Sequence, residues 1–230
     1  TQYINPLLFC PSPRNIPEVI QSWEAIPFDK FIVKNKLEDV AYKEGKKYFL
    51  ENKQYTHLVM CADDLVIYYN SFFTLLFDVL DYGYSNLAGI SNIDESQMDV
   101  YCCKPLGVDP TKVSKGSFYT KENVPKEKIF EVGFTGFTCQ FIDRELMEDL
   151  TFTGGCNGGK GCMDLQFTKE CINLGVPQMV DRRALFYHMR MAQYDEVRAW
   201  KNKAKGCERK SYTVLLKSGE RLINIKSYIK

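Results

Sequence analysis

Asp63 and Asp64 stand together inside an otherwise apolar run, with Leu58-Val59-Met60-Cys61-Ala62 before them and Leu65-Val66-Ile67 after. Such a run reads as a buried strand, where two unpaired carboxylates would cost on the order of several kcal/mol each. A divalent cation at the strand's carboxyl end relieves that cost, and Asp64 is assigned as its ligand. Successive strand residues face opposite ways, so Asp63 then orients the loop or meets another group. The competing reading ends the strand at Ala62 and makes the pair a turn, a position that Asp favours. No Gly, Pro or Asn interrupts Leu58 through Tyr69, and this favours the metal.

Two further residues could do chemistry. Asp164 follows a glycine-rich stretch and opens a helical pattern, so it reads as an N-cap, or as a general base facing a substrate hydroxyl with its pKa held low or moderate by the same helix end. Spacing alone favours the cap. His188, one of two histidines, follows an apolar segment, where a lone imidazole is more often structural than a ligand. His57 reads as a surface residue at the wrong end of the Leu58 strand.

The elements that must position these groups alternate between strand and helix, the pattern of a parallel sheet with covering helices. Tyr3 to Cys10 is expected as a strand, 11 to 15 as a loop, Ile16 to Ala25 as a helix with Pro17 in its first turn, and Phe28 to Val33 as a second strand. Leu37 to Asn52 is an amphipathic helix that leads to the Asp63-Asp64 strand. Ligands of such units gather at the carboxyl ends of the strands, here 11 to 15, Lys34-Asn35 and Asp63-Asp64. Ser71 to Tyr82 reads as a helix, Asn86 to Ile90 and Val100 to Cys103 as strands, and Lys104 to Lys128 as a long loop or small hairpin. Phe130 to Ile142 is a strand region broken by Gly133 and Gly136. Asp143 caps a helix through Leu150, a second helix runs from Asp164 to Leu174 and stops at Gly175, and Val176 to Val180 is a strand. Tyr212 to Leu216 and Leu222 to Ile225 form a hairpin.

Composition narrows the classes. The 230 residues are 45% hydrophobic, enough for one sizeable α/β core, and the net charge of +1 argues against nucleic acid as the main partner. No run approaches a membrane span and no signal core opens the chain, so a cytoplasmic location is expected. Residues 195–230 hold ten basic against four acidic residues, a local excess of +6. That excess is a solvated face or a peripheral contact with an anionic surface, which would associate the protein with a membrane. Of nine cysteines, Cys10, Cys61, Cys139 and Cys171 sit in apolar patterns and read as core thiols. The spacing of Cys156, Cys162 and Cys171 fits no common zinc finger. Gly154-x-x-x-x-Gly159-Lys160 begins like a phosphate-binding loop, but Gly161 stands where Ser or Thr must hold magnesium. A mobile substrate-covering loop fits its five glycines in eight residues better.

Taken in order, these pieces resemble a GT-A fold glycosyltransferase, most like the inverting family 2 enzymes. Cys10-Pro11-Ser12-Pro13-Arg14 is similar to that family's opening nucleotide-binding turn. Ala41 to Gly45 through Gln54 to Asp64 is similar to its helix leading to the D-x-D strand. Val132 to Glu145 followed by Met163 to Phe167 is similar to its acceptor half. Two positions depart from the pattern: Ala62 replaces the first carboxylate of D-x-D, and Met163 replaces an acidic neighbour of Asp164.

The resemblance implies a single Rossmann-like α/β domain over 1–194, with a mixed, mostly parallel central sheet flanked by helices. Its nucleotide-binding half is 1–100, its acceptor half is 101–194, and 195–230 is a basic extension. It further implies Mn²⁺ or Mg²⁺ held by Asp64 and His188, and Asp164 as catalytic base. A nucleoside-diphosphate sugar of UDP or GDP type would lie against Pro11, Arg14, Asn35, Lys43 and Asp63. Arg182 and Arg183 are further candidates for the phosphates, with solvated roles at least as fitting. The resemblance also implies an acceptor hydroxyl on a glycan, lipid or protein, and transfer with inversion. A nucleotidyltransferase on a similar sheet and a non-catalytic nucleotide-sugar-binding module are the alternatives.

Overall fold

A computed structural model describes residues 3–12, 16–34, 36, 38–91, 100–103, 117–120, 122–152, 163–188, 210–215 and 222–227. Its centre is an eight-stranded sheet. Strands β1 (Pro6–Ser12), β2 (Lys30–Lys34), β3 (His57–Met60), β4 (Leu65–Val66) and β5 (Asn86–Ser91) come from the first half. Beyond these, β6 (Val100–Cys103), β7 (Phe118–Tyr119) and β9 (Phe134–Thr135) form a small separate sheet. The strands β8 (Ile129–Val132), β10 (Gln140–Asp143) and β11 (Gln178–His188) complete the large one.

Its order is β2-β1-β3-β10-β5-β11-β4, with β8 also on β11. Strands β2, β1, β3, β5 and β11 run one way; β10 is inserted antiparallel between β3 and β5. The result is a mixed α/β fold with a mostly parallel central sheet flanked by helices. The expected hairpin in the basic tail is present as β12 (Lys210–Leu215) paired with β13 (Leu222–Ser227).

Period-2 alternation builds the layers. Leu8, Cys10, Val59 and Cys61 face one side of the sheet, where they meet Val19 and Trp23 of α1 (Pro17–Glu24) and Phe72, Leu75, Leu76 and Val79 of α3 (Tyr69–Tyr82). Leu7, Phe9, Leu58 and Met60 face the other side, under α2 (Glu38–Glu51), α4 (Arg144–Asp149) and α5 (Met163–Leu174). Strands apolar on both faces are what two covering helical layers demand. Each fully buried Leu or Phe contributes roughly 1.5–3 kcal/mol.

Close approach explains one glycine: a Cβ at Gly45 would lie 2.5 Å from the Phe9 ring, so only glycine lets α2 settle on β1. Arg144 anchors the far end of that helix. Its guanidinium donates to the carbonyls of Phe49, Asn52 and Tyr55 at 2.8–3.0 Å and lies 4.3 Å over the Phe49 ring.

Three expectations change. The run from Leu58 to Ile67 is not one strand: β3 ends at Met60, β4 begins at Leu65, and the Leu65 N–H donates to the Ala62 carbonyl at 3.1 Å across a turn. The turn geometry therefore holds at Asp63-Asp64, and the apolar composition continues across it because Leu58, Val59, Met60 and Leu65 on either side are buried. Second, β1 extends through Ser12, so Pro11 is a strand residue paired with Val33 rather than a loop residue. Pro is tolerated there because the β3 pairing ends at Phe9, so Pro11 has β2 on one side only and sits as on an edge strand. Third, β11 runs eleven residues to His188 instead of stopping at Val180. The charged stretch Asp181-Arg182-Arg183 hid the continuation. The glycine-rich loop, and 104–116 of the expected loop or hairpin, lie outside the described residues.

Candidate functional site

The carboxyl end of β3 opens into the turn that carries Asp63 and Asp64. On one side the Ala62 N–H donates to the Phe137 carbonyl at 3.1 Å. On the other, the Ile67 N–H donates to Ser22 Oγ of α1 at 2.9 Å, fixing where the chain leaves the turn. Between these ties, β4 pairs antiparallel with the end of β11, Leu65 opposite His188 and Val66 opposite Tyr187. The pairing brings His188 Nε2 to 3.0 Å from Asp64 Oδ1. Both side chains are about nine-tenths buried, at 10% and 8% exposure. Two residues far apart in sequence thus meet at a strand's carboxyl end.

That spacing has a chemical reading. Two donors in adjacent positions on a six-coordinate ion, each about 2.1 Å from it, are separated by about 3 Å. At 3.0 Å the two groups make an ordinary imidazole–carboxylate hydrogen bond, and the same two atoms are also spaced as neighbouring donors to such an ion, for which both are suitable types. Among the described residues no group of three or more His, Cys, Asp or Glu side chains is arranged to hold a metal ion. Any ion here would take its remaining donors from bound phosphate and water. Asp63, next in the turn, is half-buried, while Asp64 is buried at 6% exposure.

Strained backbone lies against this turn. Phe137 and Cys139 hold φ of 49° and 51°, a conformation that costs bulky L-residues of order 1–3 kcal/mol. Both are pinned from outside. Phe137 packs between Tyr42 and Phe167, with ring centroids 5.1 and 5.5 Å away, and Cys139 is fully buried. The thiols of Cys10, Cys61 and Cys139 are free and buried in the same core, and burial raises the pKa of Cys10 and Cys139 well above the ordinary value. Cys171 is likewise free and buried; Cys156 and Cys162 lie outside the described residues. Gly136 hinted at irregularity here. Nothing in the residue types of Phe137 or Cys139 announced positive φ.

Asp164 sits inside the first turn of α5, which begins at Met163, so it is not the residue flanking the helix. Its Oδ1 accepts from the Leu165 N–H at 2.8 Å. Burial pushes its carboxyl up to about 6, against the opposing pull of the Leu165 and Asp164 backbone N–H groups. The expected low or moderate value is thereby corrected, because desolvation outweighs the helix end. A carboxylate poised near neutrality is better matched to proton abstraction than an ordinary one.

The remaining expected contacts are less concentrated. Pro11 lies near the carboxyl end of β1 with its side chain buried, while Lys43 is exposed on α2 beside the buried Ala41 and Tyr42. Arg14 and Asn35 lie outside the described residues. Arg182 donates to the Pro125 carbonyl at 3.0 Å, and Arg183 is engaged with Asp78 and Asp181. The charge of Arg183 is thus met by two carboxylates, while Arg182 gives one N–H to a backbone carbonyl.

His57 is also corrected, from a surface residue to a half-buried one with Nδ1 3.0 Å from Thr56 Oγ1. Burial lowers its pKa to about 4 despite the nearby Asp143 carboxylate. An unfolded His titrates near ~6.5, so between those values the unfolded state binds more protons and stability falls as pH drops. Replacing His57 with Gln should reduce the loss of urea stability between pH 7 and 4.5 relative to the parent. An identical pH slope in the two proteins would contradict the burial of the imidazole.

Comparison with solved structures finds a similar architecture in A197 from STIV. The two chains share 18% identity with a TM-score of 0.53, over 80% of this chain and 81% of that one. A likeness at that identity concerns the fold, and it agrees with the mixed α/β sheet. No family model matches the sequence, and no curated protein does. Among the described residues, no helix is long and apolar enough to cross a membrane.

Proposed function

We propose that this chain is a metal-dependent glycosyltransferase that moves a sugar from a nucleoside diphosphate to an acceptor hydroxyl, with inversion. The observation that carries the reading is the 3.0 Å approach of His188 Nε2 to Asp64 Oδ1 at the carboxyl end of β3. A bound Mn²⁺ or Mg²⁺ would stabilise the charge that builds on the departing diphosphate. Asp64 and His188 supply the protein's two donors for it. Pro11 and Asp63, at the ends of neighbouring strands, flank the nucleotide, with Arg14 and Asn35 as further contacts.

Asp164 does the proton work. Its carboxylate takes the proton of the acceptor hydroxyl as that oxygen bonds to the anomeric carbon and the bond to the diphosphate breaks. Attack from the side opposite the leaving group inverts the centre. A pKa of about 6 leaves the group ionised at neutral pH while keeping it basic enough to accept the proton.

A thermal-shift matrix of nucleoside-diphosphate sugars with and without Mn²⁺ tests the reading. Ligand at about 100 times its Kd stabilises the folded state by about 2.7 kcal/mol, so the melting temperature should rise only when sugar nucleotide and metal are both present. Release of pyrophosphate from a nucleoside triphosphate, with no glycoside formed, would instead make it a nucleotidyltransferase. Binding with no turnover on any acceptor would leave a nucleotide-sugar-binding module.

A further inference from the structure

Between Val180 and Leu185 the parallel pairing of β11 with β5 changes register. Val180 is opposite Ala88 and Leu185 is opposite Ile90, so β11 advances five residues while β5 advances two. The bulged strand carries three extra residues. An odd number inverts side-chain facing: Val180 points into the core with Ala88 and Ile90, whereas after the bulge the even-numbered Phe186 joins the opposite core with Phe72 and Leu87. His188, two residues beyond Phe186, shares that facing. The bulge therefore decides whether His188 can meet Asp64.

One side chain closes this bulge. Asp181 is fully buried, and its Oδ1 accepts from the Arg183 N–H at 2.8 Å and from Arg183 Nε at 3.0 Å. Arg183 Nη2 donates to Asp181 Oδ2 at 2.7 Å and reaches Asp78 Oδ2 of α3 at 2.5 Å. Burial alone would raise Asp181, yet the hydrogen bonds from Arg183 and Asp78 hold it below its ordinary value. The same turn of backbone is tied to α3 once more, where Ser71 Oγ donates to the Leu185 carbonyl at 2.7 Å. Glycine at 89 leaves the room the displaced strand needs, since a Cβ there would lie 2.2 Å from the Phe186 ring and 2.6 Å from the Ala184 carbonyl oxygen.

We infer that Arg183, clamped between Asp181 and Asp78, is a positioning residue that locks the β11 bulge and so holds His188 against Asp64. The metal part of this inference rests on the proposed function; the positioning part does not. Carboxylate–guanidinium hydrogen bonds are strong and geometrically specific, so the clamp fixes a backbone shape rather than only adding stability. Groups that hydrogen-bond a ligating side chain directly cost metal sites about 10–100-fold in affinity when removed, and Arg183, which acts on His188 through the backbone of β11, belongs at the lower end of that range.

The chain has only two histidines, so ring-labelled histidine gives an NMR spectrum with His57 as internal control. In the parent protein, Asp64→Asn should shift the His188 ring signals, and Mn²⁺ alone should broaden them while leaving His57 sharp. In Arg183→Gln, the response to Asp64→Asn should fall by at least about half and the Mn²⁺ needed for half-broadening should rise about tenfold or more. Arg183→Lys should recover part of both, since an ammonium reaches one carboxylate but not two in a fork. If Arg183→Gln does not fold, Asp78→Asn carries the test, expected to give a smaller change in the same direction. A folded variant with the parent's Asp64 response and Mn²⁺ requirement overturns the inference. Absence of Mn²⁺ broadening in the parent, with the Asp64 response still lost in Arg183→Gln, would remove the metal reading and leave the positioning role standing.

Discussion

Asp64→Ala should weaken Mn²⁺-dependent nucleotide binding by about 100-fold or more, while Asp63→Ala leaves most of it. A hundredfold loss needs only about 2.8 kcal/mol, less than a carboxylate's attraction for a dication in a partly buried site. The asymmetry follows from placement. Asp64 is buried and touches His188, whereas Asp63 is half-buried in the same turn. Because the two share a turn rather than a regular strand, their difference comes from burial and from the β4–β11 pairing, not from strand alternation. Removing Asp64 also leaves an imidazole without its carboxylate partner, at a cost of roughly 1–3 kcal/mol, so binding must be measured well below each variant's melting temperature. Isothermal titration of Mn²⁺ with nucleotide present is the measurement. Equal losses from the two substitutions would remove Asp64 from the metal.

The second large effect concerns Asp164→Asn, which should fold as well as the parent and lose glycosyl transfer by about 100-fold or more. Asn keeps an oxygen that can accept from the Leu165 N–H, as Asp164 does at 2.8 Å. It cannot take a proton from an acceptor. Stability should even favour the variant above neutral pH. With a folded-state pKa of about 6, above the ordinary 3.8, the folded parent holds more protons than the unfolded chain across that interval. Its stability therefore falls as pH rises from about 4 to 6, and the Asn variant escapes that fall. A melting curve and a transfer rate on one preparation check both statements. Full activity in a stable variant would return the search to Glu131, exposed on β8, or Asp143, which caps α4 by accepting from the Leu146 N–H at 2.7 Å.

Much of the frame was legible because local signals and burial agreed. Asp143 capping α4, Gly175 at φ 70° ending α5 and the apolar stripe of α3 all read directly from residue type. The juxtaposition of Asp64 and His188 came from a resemblance, since no local pattern says which strand will lie beside β4. What escaped were features set by long-range contacts. Leu58 to Ile67 looked continuous because a short turn between two buried strands keeps an apolar composition. The far half of β11 was hidden by Asp181 and Arg183, because a fully buried carboxylate is met there by a guanidinium that stays partly exposed, and residue type alone does not reveal such a pairing within a strand. Likewise, burial outweighed the helix end at Asp164 and the solvent at His57, two effects that depend on what packs above them.

The three-residue excess in β11 bears on how this chain can change length during evolution. Extra residues in a bulge are unpaired, so a residue gained or lost between Val180 and Leu185 is absorbed there while Leu185 stays opposite Ile90 and His188 stays opposite Leu65. The partnership with Asp64 is thereby insulated from changes of length upstream of it. What such a change must preserve is the closure of the bulge by Asp181 and Arg183.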